Sequence, residues 1–196
     1  MRSRYKIIEE KCIYFITSIP IFIGIEWIPV FTSEPYFKII IESIQFCQIN
    51  KGLKVFAYII MDNHFHLIVF GEKLSDIISS LKKHTAKKII EQLQSDKKLW
   101  LLNQLKYYKE KYKKYSTYQI WQEGFHPQLL SSLEMLDQKI EYVHFNPVKR
   151  GFVTSPEDWK YSSANNRDLN DEIILKIDEL PELQIRSQTE FGNEKY

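Results

Sequence analysis

The sequence predicts an α+β fold in which strands and helices share one antiparallel sheet. Two observations lead to this prediction. Runs of β-branched and aromatic residues alternate along the chain with stretches whose apolar residues recur at three- and four-residue intervals, so strands alternate with helices. The second and third predicted strands are joined by a short turn over 61–63, which suits an antiparallel hairpin.

The first half of the chain contains three predicted strands and one predicted helix. A β-branched and aromatic run over 13–19 predicts the first strand, and similar runs over 53–60 and 64–70 predict the second and third. Apolar residues at helical spacing predict a helix over 34–49, and Ser33 suits the N-cap of this helix.

The second half begins with a second predicted helix over 74–94, whose apolar residues line one side. A Lys- and Tyr-rich stretch over 95–116 is expected to form an excursion or a helical extension. The run over 117–121 predicts the fourth strand, and 127–130 is a second, shorter candidate.

A last helix is predicted after the fourth strand. Ser131 and Glu134 form a capping-box pattern, which marks a helix N-terminus. We expect this helix to reach Asn146 at most, because Pro147 disfavours the helical conformation of the residue before it.

The resulting element order is β-α-β-β-α-β followed by a helix, which is the ferredoxin-like pattern of an antiparallel sheet with helices on one face. This fold supports many functions, so the function has to be inferred from particular residues.

Length and composition bound the remaining possibilities. The 196 residues are enough for one domain, which we place at 1–167, followed by an acidic C-terminal tail at 168–196. Two cysteines cannot form a disulfide framework, so a cytoplasmic location is expected. The chain lacks an uncharged apolar run long enough for a membrane span, so no membrane partner is expected.

The net charge of +2 hides an uneven distribution, since residues 1–167 carry +7 and the tail carries −5. Residues 82–114 contain 11 lysines and three acidic residues, with aromatic residues between them. Lysines attract phosphates and aromatic rings stack on unpaired bases, so a nucleic-acid surface is one interpretation. A solvated helix with aromatic residues in the core is the other.

Two histidines one residue apart, His64 and His66, form the first candidate for chemistry. Residues i and i+2 of a strand point to the same face, so both imidazoles can approach one metal ion. Two polar residues on a wetted strand face are the ordinary alternative.

Tyr142 and Asn146 form the second candidate, because they are four residues apart on the last predicted helix and share a face. A deprotonated tyrosine can be a nucleophile, and an amide oxygen can be a ligand of a hard cation. A half-buried aromatic residue and a helix C-cap are the alternative.

Three sequence blocks resemble those of the REP-associated tyrosine transposases, a family of HUH single-tyrosine transposases from insertion sequences. The blocks cover 56–69, 142–153 and 156–163, in the family's order and at its spacing. The first contains Met-Asp-Asn-His-Phe-His, the second Tyr-(x)3-Asn-Pro-Val and the third Pro-Glu-Asp-Trp. Asp62 departs from the Pro or Thr of many relatives, and 95–116 matches no block of the family.

The resemblance implies an enzyme: a metal-dependent transesterase that cleaves and rejoins single-stranded DNA beside hairpins through a 5′-phosphotyrosine intermediate. It implies Tyr142 as the nucleophile, assisted by His64 and His66. It also implies that Mg²⁺ or Mn²⁺ is held by these two histidines and by Asn146. The bacterial cytoplasm, beside the nucleoid, is the location it implies, and a homodimer is compatible with it.

Lysines beside the blocks are expected to contact DNA phosphates. The expected contacts are Lys82, Lys83, Lys87 and Lys88 on the exposed side of the second helix, and Lys149 and Arg150 after the tyrosine helix. Two alternatives stay open: a domesticated DNA-binding protein that does not cleave, and a metal-dependent phosphohydrolase without a covalent step.

Overall fold

The structure is a computed structural model that describes residue 7 and residues 11–20, 29–165 and 174–180. The described chain contains strands β1 (Tyr14–Ser18), β2 (Lys54–Ile60), β3 (Phe65–Phe70) and β4 (His126–Leu129), and helices α1 (Glu34–Lys51), α2 (Leu74–Ser95), α3 (Leu99–Tyr107) and α4 (Leu133–Lys149). Two 3₁₀ turns follow at Pro156–Asp158 and Ser163–Asn165. Among these helices none is both long and apolar enough to cross a membrane.

The four strands form one sheet in the order β2-β3-β1-β4, and every pair of neighbours is antiparallel. The two strand–helix–strand units interleave, since β3 lies between β1 and β2, and β1 lies between β3 and β4. The predicted α+β class with an antiparallel sheet is confirmed.

The two faces of the sheet pack against different helices. Tyr14 and Ile16 of β1 belong to the core that includes the buried sides of α1 and α2. Phe15, between them, belongs to a second core with Leu136 and Val143 of α4. Alternation of side chains along a strand explains this division. The described helices therefore cover both faces, and α4 is the one of them that packs on the second.

The predicted fourth strand over 117–121 is wrong, and β4 lies at His126–Leu129 instead, within one residue of the shorter candidate. The backbone N–H of Gln119 donates to the Leu105 carbonyl of α3, and its side chain donates to the Trp121 carbonyl and accepts from the Glu110 N–H. These hydrogen bonds connect most of the segment to α3 and its own loop. Only its last residue, Trp121, pairs with the continuation of β1, through an isolated antiparallel bridge with Pro20.

The predicted excursion over 95–116 contains helix α3 and the turns that follow it. Leu101, Leu102 and Leu105 are buried and belong to the same core as α1 and α2. The excursion is therefore attached to the α1–α2 side of the sheet by an apolar helix face.

Two C-terminal segments cover the outer edge of β2. The Ile60 N–H donates to the Tyr161 carbonyl, and the Trp159 indole donates to the Ile60 carbonyl. Further along, Asp178 and Val55 exchange hydrogen bonds, since the Asp178 N–H donates to the Val55 carbonyl and its carboxylate accepts from the Val55 N–H. An edge covered in this way does not offer a template for pairing with another chain.

Part of the predicted acidic tail therefore lies against the body. Leu175 is fully buried in the α1–α2 core, and the Gln45 amide donates to the Ile174 carbonyl. The division at 167/168 stays a prediction, because 166–173 and 181–196 lie outside the described residues.

Candidate active site

The two predicted histidines lie together on the sheet face that α4 covers. His66 is in β3 and His64 immediately precedes the strand, whereas Phe65 between them is buried in the opposite core. The centroids of the two imidazole rings are 4.7 Å apart. The strand period of two residues thus produces the pairing that the sequence predicts.

His66 is held by two neighbours from β1. The Thr17 hydroxyl oxygen lies 2.9 Å from Nδ1 of His66, and the two residues are directly opposite in the sheet register. The Phe15 ring stacks on the imidazole with centroids 5.1 Å apart. These contacts fix the ring orientation and leave Nε2 as the nitrogen that Thr17 does not engage.

His64 is oriented by its neighbour Asn63, which is buried. Nδ1 of His64 lies 2.6 Å from Oδ1 of Asn63. An amide oxygen only accepts hydrogen bonds, so with this amide orientation Nδ1 carries the proton and Nε2 keeps its lone pair. That tautomer is the one in which Nε2 can serve as a metal ligand.

Both imidazoles are neutral at physiological pH. Burial and the charge of Arg150 lower the pKa of His64 to about 4, and the Asn146 amide opposes this shift only in part. Burial also holds the pKa of His66 well below its usual range, with further lowering by His64 and Lys139. Neutral imidazoles are the form that binds metal ions.

Tyr142 is brought to the histidines by α4. The helix begins after Ser132, whose hydroxyl accepts a hydrogen bond from the Met135 N–H. Its buried residues Leu136 and Val143 pack on the sheet. Tyr142 is 38% exposed, and its ring lies 5.4 Å from His66, centroid to centroid, in an edge arrangement. The tyrosine therefore contacts His66 and still faces solvent.

Asn146 follows one turn later on the same helix face and is buried. Its amide lies close enough to His64 to oppose part of the lowering of that histidine's pKa. Its oxygen Oδ1 has no hydrogen bond of acceptable geometry with any described residue. A buried acceptor without a partner is uncommon and calls for an explanation such as an ion.

Two predictions about the ends of α4 are wrong. The N-cap is Ser132 rather than Ser131, and the helix continues past Asn146 to Lys149 with Pro147 inside it. Pro147 disfavours the helical conformation at Asn146 but does not forbid it. Here the Pro147 ring is buried, and the Arg150 N–H still donates to the Asn146 carbonyl, so the helix continues. The extra turn preserves helical spacing at Asn146.

Three basic residues lie around the site, two of them beside Tyr142. The Lys139 ammonium nitrogen lies 5.4 Å from the centroid of its ring, and that of Lys149 lies 5.5 Å away. Arg150 forms an ion pair with Asp62 at 3.8 Å, in the turn before His64. The predicted residues Lys149 and Arg150 are thus beside the site. Lys139 was not predicted, although its position three residues before Tyr142 on a helix places it on the same face.

The four predicted lysines of α2 lie on the opposite side of the sheet, because α2 packs in the α1–α2 core. The Lys82 ammonium donates to the Gln122 and Gly124 carbonyls, and burial lowers its pKa to about 8. The expectation that Lys82 is exposed is therefore wrong. Lys87 and Lys88 pair with Glu91, whereas Lys83 is exposed.

The remaining histidines of this region differ in position. His144 lies 2.8 Å from the Ser163 hydroxyl, Nε2 to Oγ, away from the histidine pair. His126, to which sequence reasoning assigned no role, lies opposite Thr17 in β4, and Thr17 lies opposite His66. The three residues form one row across the sheet. No group of three or more His, Cys, Asp and Glu side chains gathers into a metal site in the described part of the chain.

The sequence is similar to that of a known protein over part of its length. No family model matches the chain. A Haemophilus influenzae protein that is named as a REP-associated tyrosine transposase is 40% identical over 60 residues, which is 31% of this chain and 34% of the relative. This chain therefore matches about a third of the length of that curated relative.

A solved structure supports the fold. The structure of a REP-associated tyrosine transposase bound to a REP hairpin matches with a TM-score of 0.59 and 16% identity, over 94% of this chain and 96% of the other. The predicted resemblance to the REP-associated tyrosine transposases is confirmed, in part of the sequence by the curated relative and in the fold by the solved structure.

Proposed function

We propose that the chain is a metal-dependent transesterase of single-stranded DNA, which cleaves and rejoins DNA beside hairpins as a tyrosine transposase. The observation that carries the proposal is the contact of Tyr142 with His66 at 5.4 Å, with Asn146 one turn later beside His64. DNA is proposed as the substrate because of the resemblance, since the structural neighbour is bound to a REP hairpin.

The donor set at the site fits the implied cation. Two neutral imidazoles and an amide oxygen that is buried and unpartnered among the described residues would hold Mg²⁺ or Mn²⁺, with His64, His66 and Asn146 as ligands. A bound cation there would supply Lewis-acid polarisation of the scissile phosphate. Thr17 and Asn63 would orient the imidazoles from behind, as hydrogen-bonding partners of metal ligands do.

Tyr142 would perform the covalent step. Its Oη attacks the phosphorus in line, a Tyr–O–P bond forms and the bond from phosphorus to the 3′ oxygen breaks. The phenol loses its proton and the leaving strand gains one, which yields a 5′-phosphotyrosine and a free 3′-OH. Attack by another 3′-OH runs the same exchange in reverse and restores the phenol, so no external energy source is required.

The neighbours of Tyr142 would assist through charge and position. The ammonium groups of Lys139 and Lys149 near its ring favour the negative charge that develops on the phosphate during attack. Phe15 contacts the ring edge-on, with centroids 5.9 Å apart, and restricts its movement. A nucleophile held in this way needs little reorganisation before attack.

The proposal is tested with labelled single-stranded hairpin DNA and Mn²⁺. The wild-type protein should form an adduct that survives denaturing electrophoresis. Tyr142→Phe and His64→Ala should abolish it. Tyr108→Phe, which changes a tyrosine that is 38% exposed like Tyr142, is the matched control and should retain it.

Two other outcomes identify the alternatives. DNA binding without an adduct, over many substrates and both metals, would favour a DNA-binding protein that does not cleave. Cleavage without an adduct, unaffected by Tyr142→Phe, would favour a phosphohydrolase that activates water. A cytoplasmic location beside the nucleoid and a homodimer stay predictions.

A further inference from the structure

An exposed aromatic surface lies on α3 and the turns after it, which we name the α3 surface. It comprises Trp100, Asn103, Lys106, Tyr107, Tyr112 and Tyr115. Trp100 is 64% exposed, Tyr107 80% and Tyr115 fully. Large aromatic rings exposed together are unusual on a soluble domain and indicate an interaction site.

The rings belong to a packed element. Trp100, Asn103 and Tyr107 follow each other at helical spacing and therefore share the outer face of α3. The opposite face of the helix is buried in the α1–α2 core. The turns after α3 are fixed by an ion pair between Lys113 and Glu123 at 2.8 Å. The packed helix therefore holds the aromatic rings in position before a ligand arrives. Binding to them costs little conformational entropy of the protein.

The surface is strongly basic. Residues 97–114 contain seven lysines and one acidic residue. Six of these lysines have no ion-pair partner within the part of the chain that the structure describes: Lys97, Lys98, Lys106, Lys109, Lys111 and Lys114. Uncompensated positive charge beside exposed aromatic rings is the composition that binds single-stranded nucleic acids.

We infer that the α3 surface binds an unpaired stretch of nucleic acid by stacking bases on Trp100 and Tyr107 while lysines contact its phosphates. The identity of that strand as DNA rests on the proposed function. The two rings are seven positions apart, which is about 10 Å along a helix axis and roughly three base steps of a stacked strand.

The observations favour this partner over others. A symmetric contact with a second copy would place this basic surface against itself, so like charges would repel. A duplex keeps its bases paired and offers no open base faces to the rings. The surface lies on the α1–α2 side of the sheet, whereas Tyr142 is on the α4 side, so it would hold a part of the strand remote from the scissile phosphate.

The test measures equilibrium binding of a fluorescent 20-nucleotide oligo-dT by the full chain, in a Tyr142→Phe background that prevents covalent capture. Trp100→Ala/Tyr107→Ala should weaken binding at least about tenfold, because each stacked base contributes substantially. Trp100→Phe/Tyr107→Phe keeps both rings and should bind nearly as the parent does. Phe46→Ala removes an exposed aromatic ring of α1, outside the surface, and should change nothing.

A 20-base-pair duplex is the second probe, and its binding should not respond to Trp100→Ala/Tyr107→Ala. Unchanged oligo-dT affinity in that variant, or an equal loss on the duplex, would overturn the inference. All the changed side chains are exposed, so we expect the variants to be as stable as their parent. Equal thermal unfolding temperatures would show that each variant folds.

A second measurement separates this inference from the proposed function: adduct formation is measured in proteins that retain Tyr142. Loss of oligo-dT binding in Trp100→Ala/Tyr107→Ala supports the surface even if no variant forms an adduct. A normal adduct together with unchanged oligo-dT binding in that variant rejects the surface and leaves the transesterase in place.

Discussion

The Tyr142 ring lies edge-on to the His66 imidazole, with the two centroids 5.4 Å apart. One residue comes from a helix and the other from a strand. The two-residue period of β3 places His64 beside His66, and the turn of α4 places Asn146 after Tyr142. Two regular periods thus bring four side chains to one place, which explains how short motifs far apart in the sequence form one site.

Asn146→Ala should weaken Mn²⁺ binding at least about tenfold, because it removes a buried oxygen that fits a ligand position. Its effect on unfolding without metal should be small, since Oδ1 has no hydrogen bond to lose among the described residues. Titration calorimetry measures the affinity, and Gln138→Ala on the same helix is the control. Equal Mn²⁺ affinity in both variants would remove Asn146 from the ligand set.

Thr17→Val keeps the shape of the side chain but removes the hydroxyl that contacts Nδ1 of His66. We expect Mn²⁺ affinity to fall roughly tenfold, because the imidazole loses the contact that orients it. The unfolding free energy should fall by only about 1 kcal/mol. Thr117→Val, at an exposed threonine just after the excursion, should alter neither quantity. An unchanged Mn²⁺ affinity in Thr17→Val would show that the hydroxyl does not position the ring.

Lys139→Met should slow adduct formation roughly tenfold, because a cation that favours the negative charge developing on the phosphate is lost. The same change should raise the pKa of His66, since Lys139 contributes to lowering it. Single-turnover kinetics measures the rate, and NMR titration follows the imidazole. Lys38→Met on α1 is the control. An adduct rate equal to that of the control would leave Lys139 without a role in the reaction.

The metal-free protein should lose stability in mild acid. The pKa of His64 is lowered in the folded state to about 4, so folding excludes a proton that the unfolded chain binds below about 6.5. Its contribution is complete above pH 6.5 and is lost as the pH falls towards 4. Urea unfolding from pH 7 to 4.5 should show this loss, and His64→Asn should reduce it. If the unfolding free energy of both proteins falls equally with pH, the loss of stability does not come from His64.

Much of the fold follows from the sequence because its periods are clear. The first three strands and the first two helices lie within one or two residues of their predicted bounds in the structure. The fourth strand was misplaced because 117–121 is as apolar as a strand, yet its backbone is bonded to α3 and its own loop. Tertiary hydrogen bonding overrides local preference there, and no local pattern indicates it.

Some residues of the site could be predicted from the sequence and others could not. His64, His66, Tyr142 and Asn146 were predicted from motifs, and the structure brings them together. Thr17 and Phe15 could not be predicted, because their contacts with His66 depend on how β1 and β3 pair. Lys82 was wrongly placed in solvent, because the carbonyls that accept from it come from a loop forty residues later.

Peptide mass spectrometry of the protein–DNA adduct tests the central claim most directly. The protein is incubated with single-stranded hairpin DNA and Mn²⁺, and the adduct is digested with nuclease and protease. The account predicts a nucleotide attached through a 5′ phosphate to the peptide that contains Tyr142. A nucleotide on another tyrosine, such as Tyr107 or Tyr115 of the α3 surface, or cleaved DNA without any modified peptide, would contradict it.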